Sequence, residues 1–177
     1  ISKQFEKSLK KSGIKVMTNS SVERIDTTGA GVKAFVKTAK GEEILEADIL
    51  LSAVGIKTKI ENIGLEEVGI ETDRDKILVN AYTHANVPVY YAIGDVTPGQ
   101  ALAHVASAGG INCVEKIAGL HVDPIDYGNV PGCTYATPEI ASVGLTEKAA
   151  KEKGYEIKVG KFPFSASGKA QASGNSD

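Results

Sequence analysis

Three stretches of this 177-residue chain have residue types and spacing that could serve chemistry on a nucleotide. The first, Gly29-Ala30-Gly31-Val32-Lys33-Ala34, carries the letters of a dinucleotide-binding fingerprint. That motif works only when a helix starts after the glycines, because the free amides of the helix start face the pyrophosphate. Val32-Lys33-Ala34-Phe35-Val36-Lys37 instead alternates like a strand, so the glycines are expected to form a hairpin turn. The second, Gly94 to Gly99, has phosphate-loop spacing, but Gln100-Ala101 replaces the required lysine and hydroxyl residue, and the match fails. The third is Tyr90-Tyr91-Ala92-Ile93-Gly94-Asp95. A carboxylate just past the end of a buried strand sits where open α/β sheets bind ligands. Gly94 lets the backbone approach closely, and Asp95 can accept hydrogen bonds from sugar-like hydroxyls. Leu102-Ala103-His104 then opens a helix whose free amides suit an electron-rich ligand edge. The alternative makes Asp95 a turn residue or helix cap, and the local sequence leaves both open.

Other chemistries find little support. The two cysteines, Cys113 and Cys133, form no C-x-x-C pair and no ligand cluster with His84, His104 and His121. No metal site is expected, and both cysteines read as reduced thiols. The net charge of −2 gives no general pull toward nucleic acid or an anionic membrane. No apolar run approaches the roughly 18–20 residues that a membrane-spanning helix needs. With 42% hydrophobic and 24% charged residues, the composition is that of a globular protein with a real core.

The elements that must hold these residues read as α/β. Residues 1–12 form a helix that Gly13 stops, followed by a short strand over 14–17. Strands are expected around 22–25, 32–36 and 43–45, joined by turns at Gly29–Gly31 and Lys40-Gly41. Ala47 to Val54 is a near-continuous apolar run ending at Gly55, the pattern of a strand buried on both faces. Residues 62–71 read as loop, 77–79 as a short strand and 89–93 as a second buried strand. A long helix follows over 101–118 with Gly119 as its stop. After a linker at 128–132 come a strand at 140–143, a helix capped by Thr146, and a strand over 155–164. The chain starts without Met or a signal-peptide pattern and ends on a turn-like cluster, which suggests an internal piece of a longer chain. Such a piece is expected to expose apolar surface and to self-associate.

Ala53-Val54-Gly55, then Tyr91-Ala92-Ile93-Gly94-Asp95-Val96, then Leu102-Ala103-His104 resemble, in order and spacing, the dihydrolipoamide dehydrogenases, FAD- and NAD-linked disulfide oxidoreductases. Thr137-Pro138-Glu139-Ile140-Ala141-Ser142-Val143-Gly144-Leu145-Thr146 and Lys161-Phe162-Pro163-Phe164 look like the opening of that family's dimerisation domain. The resemblance covers essentially the whole chain. It implies partial nucleotide-binding α/β domains followed by the start of an α+β dimerisation domain. Residues 1–60 would end the NAD-binding domain, 61–126 would complete the FAD-binding and central domain, and 127–177 would begin the dimerisation domain.

By the same resemblance, Asp95 binds the FAD ribitol and Ala101, Leu102, Ala103 and His104 lie along the pyrimidine side of the flavin. Gly55 approaches the nicotinamide nucleotide and Val22 its adenosine half. Implied partners are a second copy of the chain, in a homodimer, and the lipoyl-bearing acyltransferase of a 2-oxo acid dehydrogenase complex; the implied compartment is cytoplasmic. The family's redox C-x-x-x-x-C pair, FAD and NAD fingerprints and C-terminal His-Glu pair are missing from these residues, so no catalytic residue is expected among them. Ile56-Lys57-Thr58 stands where many relatives have Arg-Arg-Pro, and Gly109 where an acidic residue is common. The alternatives are a mercuric- or glutathione-reductase relative, a flavin-dependent NADH oxidoreductase without the disulfide, and a non-enzymatic nucleotide-binding or scaffold module. A redox cysteine pair upstream of Ile1 would exclude the last.

Overall fold

Helix α1 (Ser2–Lys11) ends with Lys10 and Lys11 in its last turn, where positive charge meets the negative end of the helix dipole. Gly13 stops it at φ +81°, and the amides of Gly13 and Ile14 donate to the carbonyls of Lys10 and Leu9, both at 3.0 Å. These two bonds satisfy carbonyls that the helix end would otherwise leave unpaired. The computed structural model describes residues 1–27 and 29–174. The chain divides into two units: Ile1–Gly55 with Tyr135–Ile140 and Phe162–Asp177, and Ile56–Thr134 with Ala141–Lys161.

In the first unit, β1 (Ser21–Thr27), β2 (Val32–Thr38) and β3 (Gly41–Ala47) form an antiparallel meander. Strand alternation buries Ala34 and Val36 on one face of β2. Phe35 turns the other way, with the Arg24 guanidinium 3.7 Å above its ring. Lys33 and Glu46 stand opposite in register and pair at 2.7 Å. Gly31 therefore precedes a strand, as its alternating neighbours predict. A Cβ there would lie 2.8 Å from the Ala47 carbonyl oxygen, so strand packing explains this glycine without a phosphate.

The second unit is built on Ile60, Leu65, Ile70 and Ile77, with Val79, Val87, Ala92 and Val96 packed against them. The hairpin of β4 (Thr72–Asp73) and β5 (Lys76–Ile77) delivers Ile77 to this core. Helix α2 (Ala103–Ile117) packs through Val105, Gly109 and Cys113, four residues apart along one face. Its other side shows Ile111, Val114 and Ile117 exposed. Gly119 ends the segment at φ +80°. A further two-stranded sheet pairs β6 (Gly132–Thr134) with β7 (Ile140–Ser142). Helix α3 (Glu147–Glu152) begins at Thr146, whose hydroxyl accepts from the Ala149 amide at 3.1 Å. In the first unit, helix α4 (Gly168–Ser173) is capped by Ser167 in the same way.

Four strand expectations fail. Residues 14–17, 89–93 and 155–164 lie in no strand, and of the run 47–54 only Ala47 does, as the last residue of β3. Ile49, Leu51 and Val54 are 84, 88 and 95% exposed, and Val89 is 83% exposed. Apolarity marks a segment that favours burial, but a strand also needs a neighbour to take its backbone hydrogen bonds. No other described strand pairs with these four. Only Tyr91 makes an isolated bridge, to His84. His84 is half-buried and meets the Tyr91 ring edge-on, with centroids 4.9 Å apart.

Thr83, beside it, is held at φ +65°, where a β-branched residue is strained. The Asn80 side-chain oxygen accepts from the amides of Tyr82 and His84, at 2.9 and 3.2 Å. The Thr83 amide donates to the Asn80 carbonyl at 3.0 Å and its carbonyl accepts from Ala92 at 2.9 Å. The Thr83 hydroxyl is buried without a partner among the described residues. Thr83→Val keeps the shape and the backbone strain while removing that hydroxyl, so stability should rise by about 1 kcal/mol or more. Denaturant unfolding reads this directly, and a lower midpoint for the variant would mean that the hydroxyl is bonded.

Candidate functional site

Asp95 sits in a single 3₁₀ turn, Gly94–Val96. Gly94 adopts φ +76°, a left-handed conformation natural to glycine. A Cβ at Gly94 would lie 3.5 Å from the Cβ of Ala106, so the turn packs against the first turns of α2. The Thr97 hydroxyl and amide both donate to the Gly94 carbonyl, at 2.8 and 3.0 Å. On the other side, Lys76 Nζ donates to the Asp95 carbonyl at 2.5 Å. Val96 anchors the end of the turn against the core. Among the described residues, the exposed Asp95 carboxylate makes no hydrogen bond or ion pair.

Leu102 is the cap residue of α2 and offers no side-chain acceptor, while its carbonyl takes the amides of Val105 and Ala106 at 3.0 Å. The amides of Ala103 and His104 therefore have no acceptor among the described residues. His104 is exposed, and its Nε2 lies 3.0 Å from the Pro131 carbonyl, the geometry of an Nε2–H tautomer donating to it. Asp95 and the Ala101–His104 segment thus belong to one unit and one neighbourhood. Val22 and Gly55 belong to the other unit. Val22 is exposed on β1 beside an irregularity in the ladder. Gly55 has φ +121°, with nothing within 4 Å of where a Cβ would stand.

The pattern that defines the pyridine nucleotide-disulphide oxidoreductases matches residues 1–110, and that of their dimerisation domain matches residues 130–177. The chain belongs to the pyridine nucleotide-disulphide oxidoreductase family. It is 48% identical over 170 residues to a dihydrolipoyl dehydrogenase of Rhizobium etli, covering 95% of this chain and 35% of that protein. It is 46% identical over 180 residues to the mitochondrial dihydrolipoyl dehydrogenase of Pisum sativum, covering all of this chain and 36% of that protein. The fold is also that of the HOCl-induced flavoprotein disulfide reductase of Escherichia coli, with a TM-score of 0.88 and 26% identity over 99% of this chain and 40% of that one. The chain thus spans about a third of the length of the relatives it matches. The mixed α/β and α+β class expected from the sequence is the family's.

The family works with FAD and NAD, and the residues present fit part of each requirement. A free carboxylate beside two free amides suits a polyol and the electron-rich edge of a ring. Open space at Gly55 suits close approach of a nucleotide. A pyrophosphate cradle is not found at Gly29–Gly31, which leads into a strand. Among the described residues, no cluster of His, Cys, Asp and Glu could hold a metal, and no helix is long and apolar enough to cross a membrane. Both cysteines are free, Cys113 buried and Cys133 exposed.

Sequence reasoning missed the residues that hold the oxidoreductase turn in place. Lys76 reaches Asp95 across a gap in the sequence that no motif marks. Asp75, next to it, accepts the Thr58 amide at 2.9 Å on Oδ2, while the Thr58 hydroxyl donates to the Asp75 carbonyl. The Thr58 amide holds the Asp75 carboxyl below its ordinary value of 3.8, burial opposes this, and the Thr58 hydroxyl and the Lys76 charge add to the lowering. A carboxyl lowered in the folded state stabilises the fold above its unfolded pKa, and that contribution disappears as pH falls through the folded value. Stability should therefore drop on acidification below 3.8, and Asp75→Asn should flatten that part of the profile. Urea unfolding across the acid range tests this; an unchanged profile in the variant would remove Asp75 as a source.

Proposed function

We propose that the whole protein is a dihydrolipoamide dehydrogenase, which oxidises a dihydrolipoyl dithiol to its disulfide and delivers the two electrons to NAD. The two relatives at 48 and 46% identity carry the substrate class. The single structural observation that supports cofactor binding here is the unpartnered Asp95 carboxylate on its braced turn. Bound FAD would supply the two-electron relay between the dithiol and NAD.

In this reading Asp95 accepts a hydrogen bond from a ribitol hydroxyl. Ala101 and Leu102 line the pyrimidine edge of the ring, and the free amides of Ala103 and His104 donate toward it. Gly55 lets the nicotinamide nucleotide approach the backbone, and Val22 offers apolar surface to the adenosine half. Residues 1–60 end the NAD-binding domain, 61–126 complete the FAD-binding domain, and 127–177 open the dimerisation domain. The exposed runs at 49–54 and 89–93 become strands paired with segments of the whole protein beyond these residues. Cys113 and Cys133 lack the C-x-x-x-x-C spacing, so the redox disulfide and the base are supplied elsewhere.

The dimerisation pattern over residues 130–177 supports a homodimer. The substrate class points to the lipoyl-bearing acyltransferase of a 2-oxo acid dehydrogenase complex as partner, and two unpaired thiols fit a cytoplasmic setting. The Escherichia coli neighbour favours a second reading, a flavin-dependent reductase of another disulfide.

Turnover separates these readings. The whole protein should reduce NAD with dihydrolipoamide and not with glutathione, whereas the 177-residue chain alone should be colourless and inactive with either. Stoichiometric flavin or measurable turnover in the 177-residue chain would show that the essential groups lie within it. In the whole protein, Asp95→Ala should weaken FAD retention roughly tenfold or more, the effect of losing a charge-assisted bond of about 1.5–3 kcal/mol. Flavin dissociation measured beside thermal unfolding decides the role of Asp95: a lowered melting temperature with unchanged flavin affinity would leave it a turn residue only.

A further inference from the structure

We propose that Lys76 is a positioning residue for the flavin site, holding the Gly94–Val96 turn so that the Asp95 carboxylate remains open to the ligand. The inference rests on the reading of Asp95 as a flavin ligand and adds a residue to it.

The argument starts from where the ammonium group goes. Lys76 Nζ donates to the backbone carbonyl of Asp95, at 2.5 Å, and makes no ion pair with the carboxylate of the same residue. A lysine bound to that carboxylate would occupy the acceptor that a sugar hydroxyl needs. On the carbonyl, it ties down the peptide while leaving the carboxylate free. A charged donor forms the stronger class of hydrogen bond, and this one is made at the exposed side of the turn. Lys76 is half-buried.

The lysine is itself fixed from both sides. On one side, Asp75 is bound through its carboxylate and its carbonyl to Thr58, which is buried. On the other, Ile77 lies in the core, and Lys76 pairs with Asp73 in the β4–β5 ladder. The turn receives a second brace from behind, where Thr97 donates twice to the Gly94 carbonyl. Consecutive carbonyls, those of Gly94 and Asp95, are thus held by Thr97 and Lys76. This is how a ligand group on a short turn gains the fixed geometry that binding requires. A surface lysine with no such role would have its ammonium in solvent, and its loss would go unnoticed.

The test is a double-mutant cycle on flavin dissociation in the whole protein, with Lys76→Met, Lys76→Arg and Asp95→Asn, each checked by thermal unfolding. Lys76→Met should raise the flavin dissociation constant roughly five- to tenfold, from loss of one charge-assisted bond that orders the turn. Lys76→Arg should restore affinity to within about twofold, since it supplies a charged donor of similar reach. In the Asp95→Asn background Lys76→Met should have a smaller further effect, because the charged acceptor it positions is replaced by a neutral amide. Additive losses, or a loss that Lys76→Arg does not repair, would overturn the positioning role. If Asp95→Asn weakens flavin binding and Lys76→Met leaves it unchanged, Lys76 alone is wrong. If Asp95→Asn itself leaves flavin affinity unchanged, the reading of Asp95 fails first.

Discussion

The bond between the Thr58 amide and the Asp75 carboxylate is the fixed point of the second unit. It joins the segment entering that unit to the β4–β5 hairpin, and from there the order passes along the chain in short steps. Asp75 steadies Lys76, Ile77 enters the apolar cluster, and Lys76 spans to the carbonyl of Asp95. The hairpin ladder itself has only two residue pairs, so that attachment adds to the anchors that Ile77 and Lys76 supply. A two-stranded hairpin is marginal in water by itself, so its place here depends on side-chain anchors.

What the chain revealed about itself before folding follows from the range of each interaction. Helix α1, the three-stranded meander, α2 and the Thr146 cap are encoded within a few residues of where they form, and each was legible. Gly31 was legible for the same reason, since alternation after it excludes a helix start. The apolar runs at 47–54 and 89–93 were misread in one respect. Their composition states a preference for burial, but pairing belongs to the neighbours and cannot be read from the run. The bonding around Asp95 was not legible. Its carbonyl partner Lys76 and the Thr58–Asp75 bond connect segments distant in sequence, and lysine, threonine and aspartate at those positions look like ordinary surface residues.

Family membership and site geometry answer different questions. Membership is secured along most of the length by residues that shape strands, turns and helix ends. It reaches the flavin reading only through the few atoms at the turn whose bonding is incomplete. Two carbonyls of the turn are taken, its carboxylate and two amides at the start of α2 are free among the described residues, and the proposed flavin reading rests on that asymmetry. A connecting turn would satisfy its own acceptors, as Asn80 does with Tyr82 and His84.

The open run from Ile49 to Val54 has a consequence for how the chain behaves in a test tube. Its six residues carry no charge and no proline, include two isoleucine or valine residues, and lie in the open without strand partners. Such a segment can add to an identical segment of another molecule, each supplying the backbone partners that the other lacks. Docking onto its proper neighbours within one molecule is a first-order event, while stacking between molecules is second order. Dilution slows the second and leaves the first untouched, so the yield of well-folded material is governed by how crowded the chains are while they fold.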